Sequence, residues 1–421
     1  MKTFTLLFSA LLLTSTVHAA SKDNDPQNRI IDLEVACQKG NISACANLGE
    51  HYFFGIGVAP DYDKAFEYNK RACERGDALG CKGFGNAYKL GYGVKIDFNK
   101  AFELYKKSCD AGNQAGCNNL GSMYKDGKGV ARDYDHAVRL FIQACEANES
   151  SGCYSLGTMY SAGTGIEKNQ EMALSYFKKS CDGKFGLGCV ELANFYGNMP
   201  EKDFKLIRSF YEQACESTKQ YGVGCYYLGV MYSLGKGVAQ DYLKAAELYL
   251  KACNNNDSPA CNDAGVAYNT GRGVNIDLKR AFELFQKSCQ LTSAKLPCSN
   301  LGNMYRDGRG TEKNLEKAAF YYQISCQTDY FGGCINLARA YESGQGVEKN
   351  FSLALEYYMG ACRLNPDTCF ELGRIYETGR LGQKDIDKAK YFYSMSCRLG
   401  NKQEKNNSLA CEQFSKLQQS R

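Results

Sequence analysis

CNNLGSMYKDGKGVARDYDHAVRLFIQAC, running from Cys117 to Cys145, decides how the chain is read, because nearly every other segment is an edited copy of it. Leu120, Gly121 and Tyr124 follow the first cysteine at +3, +4 and +7, one face of an α-helix. Gly127 and Gly129 interrupt that pattern. Asp133 restarts it as an N-cap, its side-chain oxygen suited to accept from orphan backbone N–H groups of the next turn. Ala137, Leu140 and Phe141 then form the buried stripe of a second helix.

Outward from this unit, the 22 cysteines of the 421-residue chain fall into eleven close pairs: Cys37 with Cys45, Cys73 with Cys81, Cys109 with Cys117, Cys145 with Cys153, Cys181 with Cys189, Cys215 with Cys225, Cys253 with Cys261, Cys289 with Cys298, Cys326 with Cys334, Cys362 with Cys369 and Cys397 with Cys411. From the second member of one pair to the first of the next is 28 residues in nine of ten cases and 26 in the other, while the gap within a pair runs from 7 to 14. Insertions are therefore accepted between paired cysteines, and the helix–turn–helix between pairs is nearly constant. An independent register agrees. Twelve residues before the first cysteine of each pair stands Asp25, Asp61, Asp97, Asp133, Asn169, Asp203, Asp241, Asp277, Asn314, Asn350 or Asp385, all of them residues that cap helices. Pro26 follows at a first helical position, where its missing N–H costs nothing. The spacing predicts a lone helix over 26–39, helix–turn–helix repeats over 41–399 and a capping C-terminal helix over about 408–417. A glycine pair such as Gly308/Gly310 separates the helices of a unit; a phosphate-binding G-x-G would need a strand before it, and here a helix precedes. Two places depart from the pattern: Gly197-Asn198-Met199-Pro200 replaces one glycine turn in a unit two residues short, and the last unit has Gly379-Arg380-Leu381-Gly382.

Lys2, the apolar run Phe4–Leu13 and Val17-His18-Ala19 predict a signal peptide over 1–19, leaving a mature chain over 20–421 that is exported to the periplasm or secreted. An even number of cysteines in an exported chain implies an oxidised framework. No later segment approaches 18 apolar residues, so no membrane span is expected. A net charge of +5 with no basic run interleaved with aromatics gives no case for nucleic acid. Beyond the signal segment only His51 and His136 remain, which argues against a Ser-His-Asp triad or a histidine metal site; no cofactor, metal or catalytic residue is expected. Absence of tryptophan beside 30 tyrosines suits many small repeated contacts better than one large core.

Leu48-Gly49, Tyr52, Gly55, Gly57-Val58, Asp61 and Lys64-Ala65 resemble the Sel1-like repeat, a relative of the tetratricopeptide repeat. With cysteines added at a 36-residue period, the chain is similar to a disulfide-rich exported subgroup, the Helicobacter cysteine-rich proteins. The resemblance covers essentially all of the mature chain. It implies an all-α fold, a right-handed αα-superhelical solenoid of about ten Sel1-like helix-turn-helix repeats, with each close cysteine pair a disulfide joining consecutive units. Spacing alone leaves open a Cys45–Cys73 type of pairing, which would strand Cys37 and Cys411. The resemblance also implies a scaffold for protein binding, in host interaction or at the cell envelope. Its alternative is a penicillin-binding protein with weak β-lactamase activity, taking a β-lactam or cell-wall peptide. Against that alternative, the three S-x-x-K matches, Ser122/Lys125, Ser175/Lys178 and Ser233/Lys236, are what chance gives, and neither S-D-N nor K-T-G occurs.

In a solenoid of this type the first helices line a concave groove, and residues +1, +5 and +8 from their cysteine turn away from the Leu/Gly/Tyr face. That stripe holds Asn86 and Lys89, then Asn118, Ser122 and Lys125, then Asn303 and Arg306, with Arg339 and Arg374 further on. It turns more apolar at Tyr226, Val230 and Val266. The resemblance to tetratricopeptide grooves, in which Asn holds peptide backbone and Lys or Arg hold carboxylates, implies a protein or extended peptide with an acidic group at one end as the partner, and these residues have the donors for that task.

Overall fold

A computed structural model of the chain describes residues 26–217, 222–291, 295–399 and 405–419. The signal peptide expected over 1–19 and the Asp25 cap lie outside these residues. The chain divides into two compact units at Tyr176/Phe177. The first holds α1 (Pro26–Gln38), α2 (Ile42–Phe54), α3 (Tyr62–Glu74), α4 (Ala78–Leu90), α5 (Phe98–Asp110), α6 (Gln114–Asp126), α7 (Tyr134–Glu146), α8 (Ser150–Ala162) and the start of α9 (Gln170–Asp182). The second holds the rest of α9, then α10 (Gly186–Gly197), α11 (Phe204–Cys215), α12 (Gly222–Leu234), α13 (Tyr242–Asn254), α14 (Ser258–Thr270), α15 (Leu278–Leu291), α16 (Lys295–Asp307) and α17 (Leu315–Gln327). It closes with α18 (Phe331–Ser343), α19 (Phe351–Leu364), α20 (Cys369–Thr378), α21 (Ile386–Leu399) and α22 (Lys405–Gln419). Among the described residues all regular structure is helical, and the fold is an αα-repeat solenoid of disulfide-linked hairpins. Even-numbered helices from α2 to α20 are the first helices of their hairpins and the odd-numbered ones after them the second.

Local chemistry sets the start of every second helix after α1. The side chains of Asp61, Asp97, Asp133, Asn169, Asp203, Asp241, Asp277, Asn314, Asn350 and Asp385 each accept from the backbone N–H three residues on, at 2.8–3.1 Å, and so start the second helices. First helices have caps of their own: Asn41, Asp77, Asn113 and Asp257 accept from the N–H groups of Ala44, Gly80, Gly116 and Ala260. At a first-helix C-terminus Gly308 takes φ +67°, a left-handed conformation that glycine enters without strain. Gly310 is required for closeness as well, since a Cβ there would fall on the carbonyl oxygen of Leu278 in the preceding hairpin. The short unit lacks this device: α10 ends at Gly197 with Asn198 right-handed, and Asp203, at the start of α11, accepts from both Lys205 and Leu206.

Packing repeats with the same regularity. The tyrosine at +7 of a first helix lies parallel to a ring of its second helix, as in Tyr52/Tyr68, Tyr160/Tyr176, Tyr305/Tyr321, Tyr341/Tyr357 and Tyr376/Phe392, with centroids 5.6–5.8 Å apart. The cation three residues after the second-helix cap covers the same tyrosine: Lys64 over Tyr52, Lys100 over Tyr88, Arg280 over Tyr268, Lys317 over Tyr305 and Lys388 over Tyr376. The Asp-x-x-Lys pattern thus serves as a cap followed by a cation on a ring.

Disulfides close the joints between hairpins. Cys37 is bonded to Cys45, Cys73 to Cys81, Cys109 to Cys117, Cys145 to Cys153, Cys181 to Cys189 and Cys215 to Cys225. Further along, Cys253 is bonded to Cys261, Cys289 to Cys298, Cys326 to Cys334, Cys362 to Cys369 and Cys397 to Cys411. Every bond is therefore of the short type, and the Cys45–Cys73 type that spacing left open does not form. The paired Cα atoms stand 4.3–4.9 Å apart. Each short loop contributes about 2–3 kcal/mol on the chain-entropy account. Lysines reinforce two joints: Lys107 Nζ donates to the Cys73 carbonyl at 2.9 Å and Lys287 Nζ to the Cys253 carbonyl at 2.8 Å, each satisfying the end of the preceding second helix.

Candidate functional site

The polar face of the first helices is shaped from beneath by one aromatic residue. Four residues before the first cysteine of a pair, the second helix carries Tyr105, Phe141, Tyr249, Phe285, Tyr322 or Tyr393, whose ring lies against the glycine at +4 of the first helix. At Gly302 a Cβ would come within 2.6 Å of the Tyr322 ring, so only glycine leaves the ring room there. The ring then reaches past the helix with its hydroxyl.

Where that hydroxyl goes determines the chemistry above it. Tyr105 donates to Asn86 Oδ1 at 2.7 Å, Tyr211 to Asn194 Oδ1 at 2.9 Å and Tyr322 to Asn303 Oδ1 at 2.8 Å, all at +5. Burial pushes the phenol pKa of Tyr322 up to about 12, which keeps it a donor across the physiological range. In the Phe141 and Phe285 hairpins there is no hydroxyl to receive, and +5 is Ser122, which donates to its own helix at the Asn118 carbonyl, or Val266. In the last two hairpins the acceptor has moved to +8: Tyr358 donates to Glu342 Oε2 at 2.8 Å and Tyr393 to Glu377 Oε2 at 2.6 Å.

A second set of bonds links neighbouring first helices. In the first unit Asn119 Nδ2 donates to Asn86 Oδ1 at 3.3 Å, Ser155 Oγ to Asn118 Oδ1 at 2.8 Å, and Lys82 pairs with Glu50 at 2.6 Å. In the second unit Asn300 Nδ2 donates to Asn262 Oδ1 at 2.9 Å, and Asn336 Nδ2 to Asn303 Oδ1 at 3.4 Å. Asn119, Ser155, Asn300 and Asn336 sit at +2, a position the +1/+5/+8 stripe omits, while Lys82 sits at +1. At 100° per residue, +2, +5 and +9 lie opposite the Leu/Gly/Tyr face, so the sequence does carry the signal.

The stripe residues therefore differ in availability. Asn118 is buried beneath Ser155. Lys89 is largely buried, which pushes its ammonium pKa down; Asp126 opposes this, and Lys128 and Lys125 add to it. Lys125 lies 3.7 Å from Asp126. Arg306 is held by Asp307 through Nε and Nη2 at 2.7 and 2.8 Å. Arg339 and Arg374 are exposed. Of the S-x-x-K pairs, Lys178 is committed to Asp182 at 3.1 Å, and the Ser122 hydroxyl to its own helix.

Among the clefts of the second unit, two hold polar residues of the stripe. One, of about 240 Å³, lies between α14 and α16 and is lined by Asn269, Asn300, Asn303, Arg306 and Arg309 over Val266, Phe285 and Met304. The Asn269 Oδ1 in its wall is buried without a hydrogen-bond partner. The other, of about 380 Å³, lies between α18 and α20 and brings Arg339 and Arg374 together with Phe331, Ile335 and Phe370. Asn269, Arg309 and the +2 residues are additions to the set read from sequence.

A family model described as Sel1 repeat matches ten segments: residues 42–77, 79–113, 114–149, 150–185, 184–218, 222–257, 258–293, 298–327, 332–365 and 366–401. Among solved structures, the chain is similar to a protective antigen of uropathogenic Escherichia coli displaying an SLR fold, at 25% identity and TM-score 0.60, covering 94% of this chain and 84% of that one. It is similar to a Sel1 repeat protein from Oxalobacter formigenes at 26% identity and TM-score 0.46, over 59% of this chain and 100% of that one. It also matches Helicobacter pylori cysteine rich protein B at 34% identity and TM-score 0.25, over 30% of this chain and 94% of that one. No curated protein matches it.

Proposed function

The chain belongs to the Sel1 repeat family, and on that premise we propose that it is an exported, disulfide-braced scaffold that binds a protein through an extended peptide segment laid across the first helices of its second unit. The observation that carries this reading is Asn303. Its Oδ1 accepts from the Tyr322 hydroxyl and from Asn336, so the amide is oriented from below and its N–H groups are left for the cleft. Beside it the unpartnered Asn269 Oδ1 is an acceptor awaiting an N–H donor. One backbone carbonyl and one backbone N–H of a peptide satisfy both, and the apolar floor of Val266, Phe285 and Met304 suits the accompanying side chain. Export through residues 1–19 to an oxidising compartment, the periplasm or the exterior, fits a chain in which no cysteine is free.

The test is selection of peptides from a displayed random library on the oxidised protein, followed by affinity measurement on Asn269→Ala and Asn303→Ala. A loss of at least about tenfold in each variant is expected, the size of one good hydrogen-bonding site. Peptides selected equally well by the variants, or none selected by the parent, would sink the reading.

A further inference from the structure

The cleft between α18 and α20 differs from the rest of the face in a way that follows from the tyrosines. At Asn86, Asn194 and Asn303 the amide oxygen of the +5 side chain is occupied by the phenol beneath it. In the last two hairpins the phenols turn to Glu342 and Glu377 at +8, and the freed +5 positions are Arg339 and Arg374. The carboxylates nearby are largely spoken for. Arg380, on the loop after α20, pairs with Glu342 at 2.8 Å and with Glu371 at 2.8 Å, so Arg374 meets Glu371 only at 4.0 Å. Asp367, on the turn before α20, is the other carboxylate of the cleft. Phe331, Ile335 and Phe370 give the same cleft an apolar surface.

Resting on the peptide-binding reading above, we propose that this cleft takes the C-terminal residue of the bound partner. The free α-carboxylate lies between Arg339 and Arg374, an apolar last side chain on Phe331, Ile335 and Phe370, and the last peptide N–H toward Glu371 or Asp367. A guanidinium pair suits a carboxylate because its planar N–H groups match both oxygens. A volume of about 380 Å³ admits one or two residues, not a folded domain. The carboxylates of the wall suit the donors of a backbone, which a bare anion lacks. Peptide polarity follows: the chain end sits at α18–α20 and the preceding residues run toward α16.

The experiment uses the full oxidised protein and three fluorescent pools of eight-residue peptides, random except for the last position: leucine with a free carboxylate, leucine amide, and aspartate amide. The free-acid leucine pool is expected to bind at least tenfold tighter than leucine amide, and that preference to vanish in Arg339→Gln/Arg374→Gln. Both arginines are exposed, and circular dichroism checks that the variant folds. Asn303→Ala is expected to weaken the leucine acid and leucine amide pools alike. Equal binding of these two pools, both weakened by Asn303→Ala, overturns the chain-end assignment and leaves the groove standing. Aspartate amide binding as tightly as the leucine acid also overturns it, making a side-chain carboxylate the recognised group. Failure of all pools overturns the chain-end assignment together with the groove.

Discussion

The hairpins α16–α17 and α20–α21 are built alike up to one atom. Each slides a tyrosine over a first-helix glycine, Tyr322 over Gly302 and Tyr393 over Gly373, and each stacks its +7 tyrosine on the second helix. They differ in what meets the phenol oxygen: an amide at +5 in one, a carboxylate at +8 in the other. The consequence is opposite. In α16 the +5 side chain becomes part of the scaffold, oriented from beneath; in α20 the +5 side chain is an exposed cation that meets Glu371 only at 4.0 Å. Between these two hairpins, a shift of the phenol's partner by one helical turn separates an amide fixed from beneath from an exposed guanidinium.

The largest effect is expected at the covalent joint between the two kinds of hairpin. Replacing Cys326 and Cys334 together by Ser should cost about 2–3 kcal/mol in denaturant unfolding; an unchanged midpoint would show that the brace contributes nothing. Next come Gly302→Leu and Gly373→Leu, which should each lose about 1–3 kcal/mol by forcing the ring away. Equal losses mean a shared scaffold, and a harmless change at either site breaks the comparison at its base. Tyr393→Phe should then cost about 1.5 kcal/mol against about 1 kcal/mol for Tyr322→Phe, since a bond to a carboxylate is the stronger one. The reverse order in thermal unfolding would contradict the assignment of acceptors. Smallest is the pH effect at Asp263, which accepts from Asn262 and, across first helices, from Tyr226. Burial raises its pKa above the ordinary 3.8, the bonds from Asn262 and Tyr226 oppose this, and Asp257 adds to it. The folded protein therefore holds the proton more tightly than the unfolded chain. Its contribution to stability is full below 3.8 and is lost as pH rises through the folded value. Asp263→Asn should flatten that decline, read from urea midpoints at acid and neutral pH.

The repeat was legible in the sequence because its determinants are local. A cap at Asp133, a left-handed turn at Gly127 and an apolar stripe ending at Phe141 each act within one hairpin, so spacing alone exposes them. The first-helix caps Asn41, Asp77 and Asn113 are equally local and were there to be read beside the second-helix series. The polar face was legible only in part. Asn118 and Asn303 look alike on a helical wheel, yet one lies beneath Ser155 and the other lines a cleft, because their partners come from the next first helix, 33 to 37 residues on. Arg306 looks as free as Arg339 until its own neighbour Asp307 is seen to hold it. Arg380 falls in an irregular loop, outside any periodic stripe, and only its two ion pairs reveal its part.

Gly310 meets Leu278 in the hairpin just before it, and the side-chain bonds described above likewise reach no further than an adjoining hairpin. An unequal crossover in the gene that removes or duplicates one period would rejoin like with like, and the new junction would find the same neighbours on either side. Chain length is then free to drift in whole modules, whereas the Arg339/Arg374 pair, which needs two particular modules in succession, is the feature such an exchange would erase.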